Sequence, residues 1–241
     1  MESFDPTPGR PEAEKVRSMF ATVAGRYDLA NTVLSGGVHH LWRTQVVDWS
    51  GARDGQRVLD CATGTGDLAI AFKSAVGPRG YVKGTDFCVE MLGPAPAKAA
   101  ARHLEIDFEQ ADVTALPYET ASFDISSISF GIRNVADPVK GLSELARVVR
   151  PGGVVMVLEF GQPTAPGFAG LYRLYSEKIL PQLGGLITGQ KKAYEYLQNS
   201  SAKFPCGDEF VKLMEQTGRF SSIESRPLTF GIAYVYKGIV A

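Results

Sequence analysis

The run Val58-Leu59-Asp60-Cys61-Ala62-Thr63-Gly64-Thr65-Gly66-Asp67-Leu68-Ala69 reads as a buried strand, a tight loop and the first turn of a helix. Gly64 and Gly66 allow the backbone to pass close to a ligand, and the helix start offers unpaired amides. The pattern even satisfies a dinucleotide-binding fingerprint, with Ala69 in the third small position and Asp86 about 20 residues further on. A purely structural glycine turn has the same appearance, so the flanking sequence has to decide.

Outward from this loop, strands and helices alternate. Arg57–Ala62 is a strand, Asp67–Val76 a helix, and Tyr81–Thr85 a strand. Cys88–Arg102 is a helix with a proline-interrupted start, followed by short strands at Glu105–Gln110 and Phe123–Phe130. Pro138–Val149 is a helix stopped by Pro151-Gly152-Gly153, and Val154–Phe160 is strand-like. That alternation predicts a parallel sheet covered on both faces. After a helix at Glu209–Gln216, Ser222–Thr229 and Gly231–Ile239 are joined too closely to be anything but antiparallel. The predicted class is therefore α/β, a mostly parallel sheet ending in an antiparallel hairpin. Residues 1–10 read as a disordered tail and 11–241 as a single domain. Within it, 11–49 form N-terminal helices around Ser35-Gly36-Gly37, and 161–204 form a helical insert rich in aromatics.

Composition narrows the function. A net charge of −1 leaves no electrostatic footprint for nucleic acid. No stretch reaches the ~18 apolar residues that span a membrane. Cys61, Cys88 and Cys206 show no paired spacing, and His39, His40 and His103 no metal-ligand spacing, so no metal is expected. A reducing cytoplasm is the expected compartment.

Three carboxylates bear on the ligand. Asp86 ends the second strand, where it can accept from a ribose diol or cap the next helix; NAD and S-adenosylmethionine both carry that diol. Asp112, after the third strand, can accept from an adenine amino group beside the Val113 amide, which favours S-adenosylmethionine. A chain of 241 residues also leaves no room for a typical dehydrogenase's separate substrate domain. Asp60 either meets the cofactor or orients the loop.

Several motifs resemble those of the ubiquinone/menaquinone biosynthesis C-methyltransferase family, from about Val16 onward. They are Tyr27-Asp28, Asn31, Leu34-Ser35, His39 and Trp42; Leu116-Pro117-Tyr118; Phe130-Gly131-Ile132-Arg133-Asn134-Val135; Arg147–Gly153; Leu158-Glu159-Phe160; and Tyr194, Tyr196-Leu197 and Phe204-Pro205. The resemblance implies a class I S-adenosylmethionine-dependent methyltransferase fold, Rossmann-like and seven-stranded. It places cofactor contacts on Thr65, Asp86, Asp112, Val113 and Ser129, beside Gly64 of the loop. It implies C-methylation of a prenylated hydroquinone, demethylmenaquinol to menaquinol above all. Ala30, Thr63, Asn199 and Tyr236 depart from the family pattern, and the last two fall in the half expected to shape the acceptor pocket.

Such chemistry needs a phenol to lose its proton and the resulting charge to be held. Arg133 and Asn134, following the fourth strand, suit the second task. Their rival reading is a brace in which Arg133 pairs with Asp124, Asp137 or Glu159. Tyr27 comes from a segment that can close as a lid, and His39 and Glu159 are candidate bases, with packing or capping the alternative for each. In the insert, Phe168, Leu171, Tyr172, Leu174, Tyr175, Ile179 and Leu180 are either core or a docking face for a prenyl tail. The expected partners are a prenylated quinol and no nucleic acid. Peripheral contact at the inner face of a membrane and a homodimer both remain open.

Overall fold

The computed structural model describes residues 10–163 and 165–241. The expected tail at 1–10 lies outside the described residues except for Arg10, which opens α1 (Arg10–Val23). Two further helices follow, α2 (Tyr27–Ser35) and α3 (Val38–Ser50). The alternating region is β1 (Arg57–Cys61), α4 (Asp67–Val76), β2 (Tyr81–Asp86), α5 (Val89–Leu92), α6 (Ala95–Ala100), β3 (Asp107–Gln110), β4 (Phe123–Ser129), α7 (Pro138–Arg147) and β5 (Val149–Phe160). The insert is α8 (Phe168–Leu174), a wider π-helical turn (Tyr175–Ile179), α9 (Leu180–Thr188) and α10 (Lys191–Lys203). The chain closes with α11 (Asp208–Glu215), β6 (Phe220–Leu228) and β7 (Ala233–Val240).

The seven strands lie in the order β3-β2-β1-β4-β5-β7-β6. Pairings from β3 to β5 are parallel; β7 runs antiparallel to both β5 and β6. The terminal pair is thus the expected hairpin, with its second strand folded inward against the parallel sheet. Two elements differ from the sequence reading. Gly93-Pro94 splits the expected helix into α5 and α6, because proline lacks the N–H that would continue the ladder. Strand β5 starts earlier, at Val149. Its register against β4 shifts between Phe123 and Ile125, absorbing Pro151-Gly152-Gly153 as an irregularity within the strand.

Strand alternation sends side chains to two cores. Leu59, Val155 and Val157 face α7 and α11, packing with Leu142, Leu145, Phe210 and Met214. Val58, Met156 and Leu158 face α3 and α4, packing with Trp42, Val46, Leu68 and Phe72. A third cluster stands off the sheet, joining Val23 and Ala30 of the first two helices to Leu180, Ala193 and Tyr194 of the insert. The N-terminal helices and the insert, about 150 residues apart in sequence, therefore form one cap over the carboxyl ends of β1, β4 and β5.

Candidate active site

Strand order reverses between β1 and β4, and ligands of open α/β sheets bind at such a switch point. The glycine loop lies there. Thr63 donates its N–H to Thr85 O (2.9 Å), and Gly66 donates to Thr63 O (2.9 Å), closing a tight turn. Gly66 has φ +85°, and a Cβ on it would stand 3.0 Å from Ala95 Cβ and 3.2 Å from the Phe108 ring. Only glycine lets loop, helix and β3 approach this closely. Beneath it Asp60, fully buried, accepts from Thr63 Oγ1 (2.6 Å) and Ser127 Oγ (2.6 Å). Burial pushes its carboxyl up to about 6, against the two hydroxyls that lower it. Asp60 is thus a loop-orienting group, and hydroxyls rather than backbone amides are its partners.

Asp86 grips the loop from the side. Its Oδ2 accepts from Gly64 N (2.9 Å) and its Oδ1 from Cys88 N (2.8 Å), while burial raises its pKa. Each oxygen keeps a lone pair for a further donor. A cavity of about 180 Å³ opens here, lined by Gly64, Asp86, Met91, Asp112, Val113, Ser129 and Asn134. Gly64, Asp86, Asp112, Val113 and Ser129 are the residues expected to meet the cofactor; Asn134, expected on the acceptor, and Met91, not expected at all, join them. Thr65 does not line the cavity. Its Oγ1 donates to Asp28 Oδ1 of α2 (2.6 Å), and Lys98 Nζ of α6 donates to both Asp28 Oδ2 (2.7 Å) and Thr65 Oγ1 (3.1 Å). Lys98 and Arg43 also bind Asp67. Burial would raise the Asp67 carboxyl, but these cations hold it below its ordinary value. This latch ties the cap to the glycine loop. Lys98 lies in an Ala-Pro-rich helix with no chemical signature, so nothing in its local sequence points to this role. Asp112 is exposed and its Oδ1 accepts from Thr114 N (2.8 Å) and Thr114 Oγ1 (2.9 Å).

A second cavity of about 510 Å³ lies between the sheet and the cap, walled by aromatic and aliphatic side chains of α2, α3, α8 and α10. Tyr27 and Phe130 line both cavities, so the two lie against each other at these residues. Phe130 holds a left-handed backbone (φ +54°), and its ring packs against Phe160 (4.4 Å between centroids) and Trp42 (6.0 Å). Gly131 follows because a Cβ there would collide with Ala62 Cβ.

Arg133 and Asn134 sit on a short 3₁₀ turn, Ile132–Asn134, after β4. Arg133 lines the larger cavity yet is also bound: its Nη1 donates to Glu159 Oε1 (2.7 Å) and Phe130 O (2.6 Å), with both ionic side chains 2% exposed. Its Nε is buried with no hydrogen-bond partner. Of the three carboxylates weighed as a brace, Glu159 is the partner; Asp124 pairs with Arg150, and Asp137 caps α7 through Lys140 N. Glu159 Oε1 also accepts from Phe160 N (2.8 Å) and Oε2 accepts from Arg133 N (3.3 Å), so both its oxygens are engaged. Asn134 lines the smaller cavity rather than the larger, and its Oδ1 accepts from Tyr196 OH (3.0 Å).

The two departures expected near the acceptor lie elsewhere. Tyr236 is 1% exposed in the core against Phe210, its hydroxyl accepting from Gly207 N (2.8 Å). Asn199 is exposed on α10. In the insert, Leu171, Leu174 and Ile179 are exposed at the rim of the larger cavity; Leu180 is buried, and Tyr175 OH donates to Leu34 O (2.6 Å).

Carboxylates and apolar walls at the switch point suit an adenosine-bearing ligand, and this fold with this site defines an S-adenosylmethionine-dependent methyltransferase. A solved methyltransferase of that kind from Thermotoga maritima, described as a possible histamine N-methyltransferase, has the same fold, with a TM-score of 0.65 over 93% of this chain and 99% of its own at 18% identity. The cyclase SpnF likewise matches in fold, with a TM-score of 0.61 over 95% of this chain and 97% of its own at 16% identity. The chain belongs to the ubiE/COQ5 methyltransferase family, whose model matches residues 10–240. It is 63% identical to a ubiquinone/menaquinone biosynthesis C-methyltransferase of Bdellovibrio bacteriovorus, over 95% of this chain and 97% of that one. It is 43% identical to a demethylmenaquinone methyltransferase of Deinococcus radiodurans, over 94% and 93%.

Proposed function

We propose that the chain methylates a ring carbon of a prenylated hydroquinone, with demethylmenaquinol to menaquinol as the reaction. The observation that carries this is the larger, aromatic-walled cavity meeting the cofactor cavity at Tyr27 and Phe130. A ring placed at that junction faces the cofactor, while its tail runs along Leu171, Leu174 and Ile179 toward solvent or lipid.

S-adenosylmethionine supplies an electrophilic methyl group when bound. Asp86 accepts from its ribose hydroxyls with the lone pairs left free by Gly64 and Cys88. Asp112 and the Val113 amide hold the adenine edge, and Ser129 lines the floor. Thr65 acts through the latch, fixing α2 on the loop rather than touching the cofactor. Asn134 lines the cofactor side of the junction.

On the acceptor side, Tyr27 shuts the junction against water. The Arg133 guanidinium stabilises the negative charge that develops on a ring oxygen as the phenol is deprotonated. Cys61 and Cys88 line the cofactor cavity, but burial pushes them up to about 12 and about 11. They remain thiols and do not compete for the methyl group.

The exposed leucines of the insert, with Lys178, Lys191 and Lys192 nearby, suit reversible docking on an anionic bilayer; among the described residues no helix is long and apolar enough to cross one. Purified protein should methylate a short-chain prenylated naphthoquinol in the presence of S-adenosylmethionine. A strain lacking the protein should accumulate a quinone one methyl group short. A full complement of methylated quinone in that strain would reject the assignment.

A further inference from the structure

His39 is 4% exposed and lines the acceptor cavity. Its protonation pattern is dictated by its neighbours. Ser35 Oγ lies 2.7 Å from Asn31 O and 2.7 Å from His39 Nδ1. A carbonyl has no proton to give, so the single hydroxyl proton of Ser35 points at Asn31 O. The Ser35 oxygen then has only lone pairs for His39, and Nδ1 must be the donor. The neutral ring therefore carries its proton on Nδ1 and leaves Nε2 bare. Nε2 has no hydrogen-bond partner among the described residues and is not a sealed atom, and His39 lines the cavity, so Nε2 is the ring nitrogen left for a ligand there. Burial, then the Arg43 guanidinium and His40, hold the pKa down at about 4 against Asp67 and Asp28, which raise it. The ring stays neutral at working pH and cannot become a donor at Nε2.

We propose that His39 selects the oxidation state of the acceptor: Nε2 takes a hydrogen bond from a quinol hydroxyl and opposes a quinone carbonyl, lone pair against lone pair. This rests on the quinol-methylating reading above and adds to it a residue that excludes the unreactive form before chemistry. Only the reduced ring is nucleophilic, so a cavity that admitted quinone freely would be blocked whenever the quinone pool was oxidised.

The test is equilibrium dialysis under argon with a prenylated 1,4-naphthoquinone bearing one isoprene unit and no ring methyl, with and without dithionite. S-adenosylhomocysteine is present throughout to prevent turnover. Wild type should bind the quinol at least about tenfold more tightly than the quinone, the discrimination expected for one buried hydrogen bond against an unpaired acceptor. His39→Leu should bring the ratio close to one by weakening the quinol, with S-adenosylhomocysteine affinity unchanged. His39→Gln, whose amide both donates and accepts, should gain quinone affinity and serves as the readout if the leucine variant does not fold. Equal wild-type affinities for the two forms, or a wild-type ratio retained in both variants, would overturn the proposal. Failure of wild type to bind either form while still binding S-adenosylhomocysteine would overturn the quinol reading itself.

Discussion

Removing the Arg133 side chain as Arg133→Met leaves the Glu159 carboxylate 2% exposed and without its countercharge. Breaking a buried pair from one side costs about 3–5 kcal/mol, because the surviving charge keeps its desolvation penalty. For a domain of this size each kcal/mol lowers the melting temperature by roughly 2–4 °C, so a fall of roughly 6–20 °C is expected. The double variant Arg133→Met, Glu159→Gln leaves no stranded charge, and Gln retains a carbonyl oxygen for Phe160 N. It should regain only part of that loss, because the amide nitrogen then faces the residue-133 N–H that Glu159 Oε2 accepts. Turnover should follow a different course: both variants lose the Arg133 guanidinium and should be slowed about a hundredfold or more, the usual cost of deleting one donor that stabilises developing negative charge. Differential scanning calorimetry and methyl transfer to a soluble short-chain quinol, on the same preparations, separate the two effects. A single variant melting within 2 °C of wild type would refute the energetic argument at about the 1 kcal/mol level. A double variant that recovers turnover together with stability would reduce Arg133 to a brace.

Asp86→Ala should weaken S-adenosylmethionine binding by about 1–3 kcal/mol in calorimetry, the worth of hydrogen bonds to a charged acceptor; unchanged affinity would confine Asp86 to holding Gly64 and Cys88. The His39 ring titrates near 6.5 when unfolded and at about 4 when folded, so the unfolded state binds more protons between those values. The stability due to His39 is therefore full above pH 6.5 and lost as pH falls toward 4, by up to ~3 kcal/mol. Asp60, raised from 3.8 to about 6, contributes in the opposite sense, losing stability as pH rises through 6. The quantity to measure is thus the difference between wild type and His39→Asn in urea denaturation at pH 4.5 and 7.5; a difference that does not change with pH would contradict the buried neutral ring. Flotation with anionic liposomes should be weakened by Leu171→Ser together with Leu186→Ser, residues 65% and 81% exposed; equal flotation of the folded variant would remove the insert as a docking face.

Much of the sheet was legible in the sequence because its signals are local. Asp67–Val76 is bounded by Gly66 and by Gly77-Pro78, and both ends of α4 match the reading. The hairpin was legible because a join between Ser222–Thr229 and Gly231–Ile239 that short permits only one strand direction. Residues lining the cofactor cavity lie just beyond strand ends and on the loop between β1 and α4, so position alone collected Asp86, Asp112 and Val113, while Ser129 came from the family resemblance. What stayed hidden depends on contacts distant in sequence. Nothing local to Asp28 reveals Lys98, and nothing local to Arg133 chooses Glu159 over Asp124 or Asp137. Tyr236 could not be assigned to core or pocket because alternation fixes which face of β7 it occupies, but not which layer covers that face. The seven apolar residues of the insert could not be sorted without α2, whose Ala30 packs in one cluster with Leu180 and whose Leu34 carbonyl accepts from Tyr175.

Tyr27 and Phe130 belong to two walls at once. Phe130 has little freedom, with a left-handed backbone and its ring between Trp42 and Phe160; Tyr27 rides on a helix that Asp28 fastens to the glycine loop. With Phe130 already fixed, a ligand that orders the Tyr27 ring from one side spares its neighbour on the other that entropic cost, and thermodynamic linkage makes the assistance reciprocal and equal in factor. Cofactor and acceptor are thus expected to bind with positive cooperativity. An acceptor analogue titrated into protein saturated with S-adenosylhomocysteine should bind more tightly than into free protein, by the same ratio as in the converse titration.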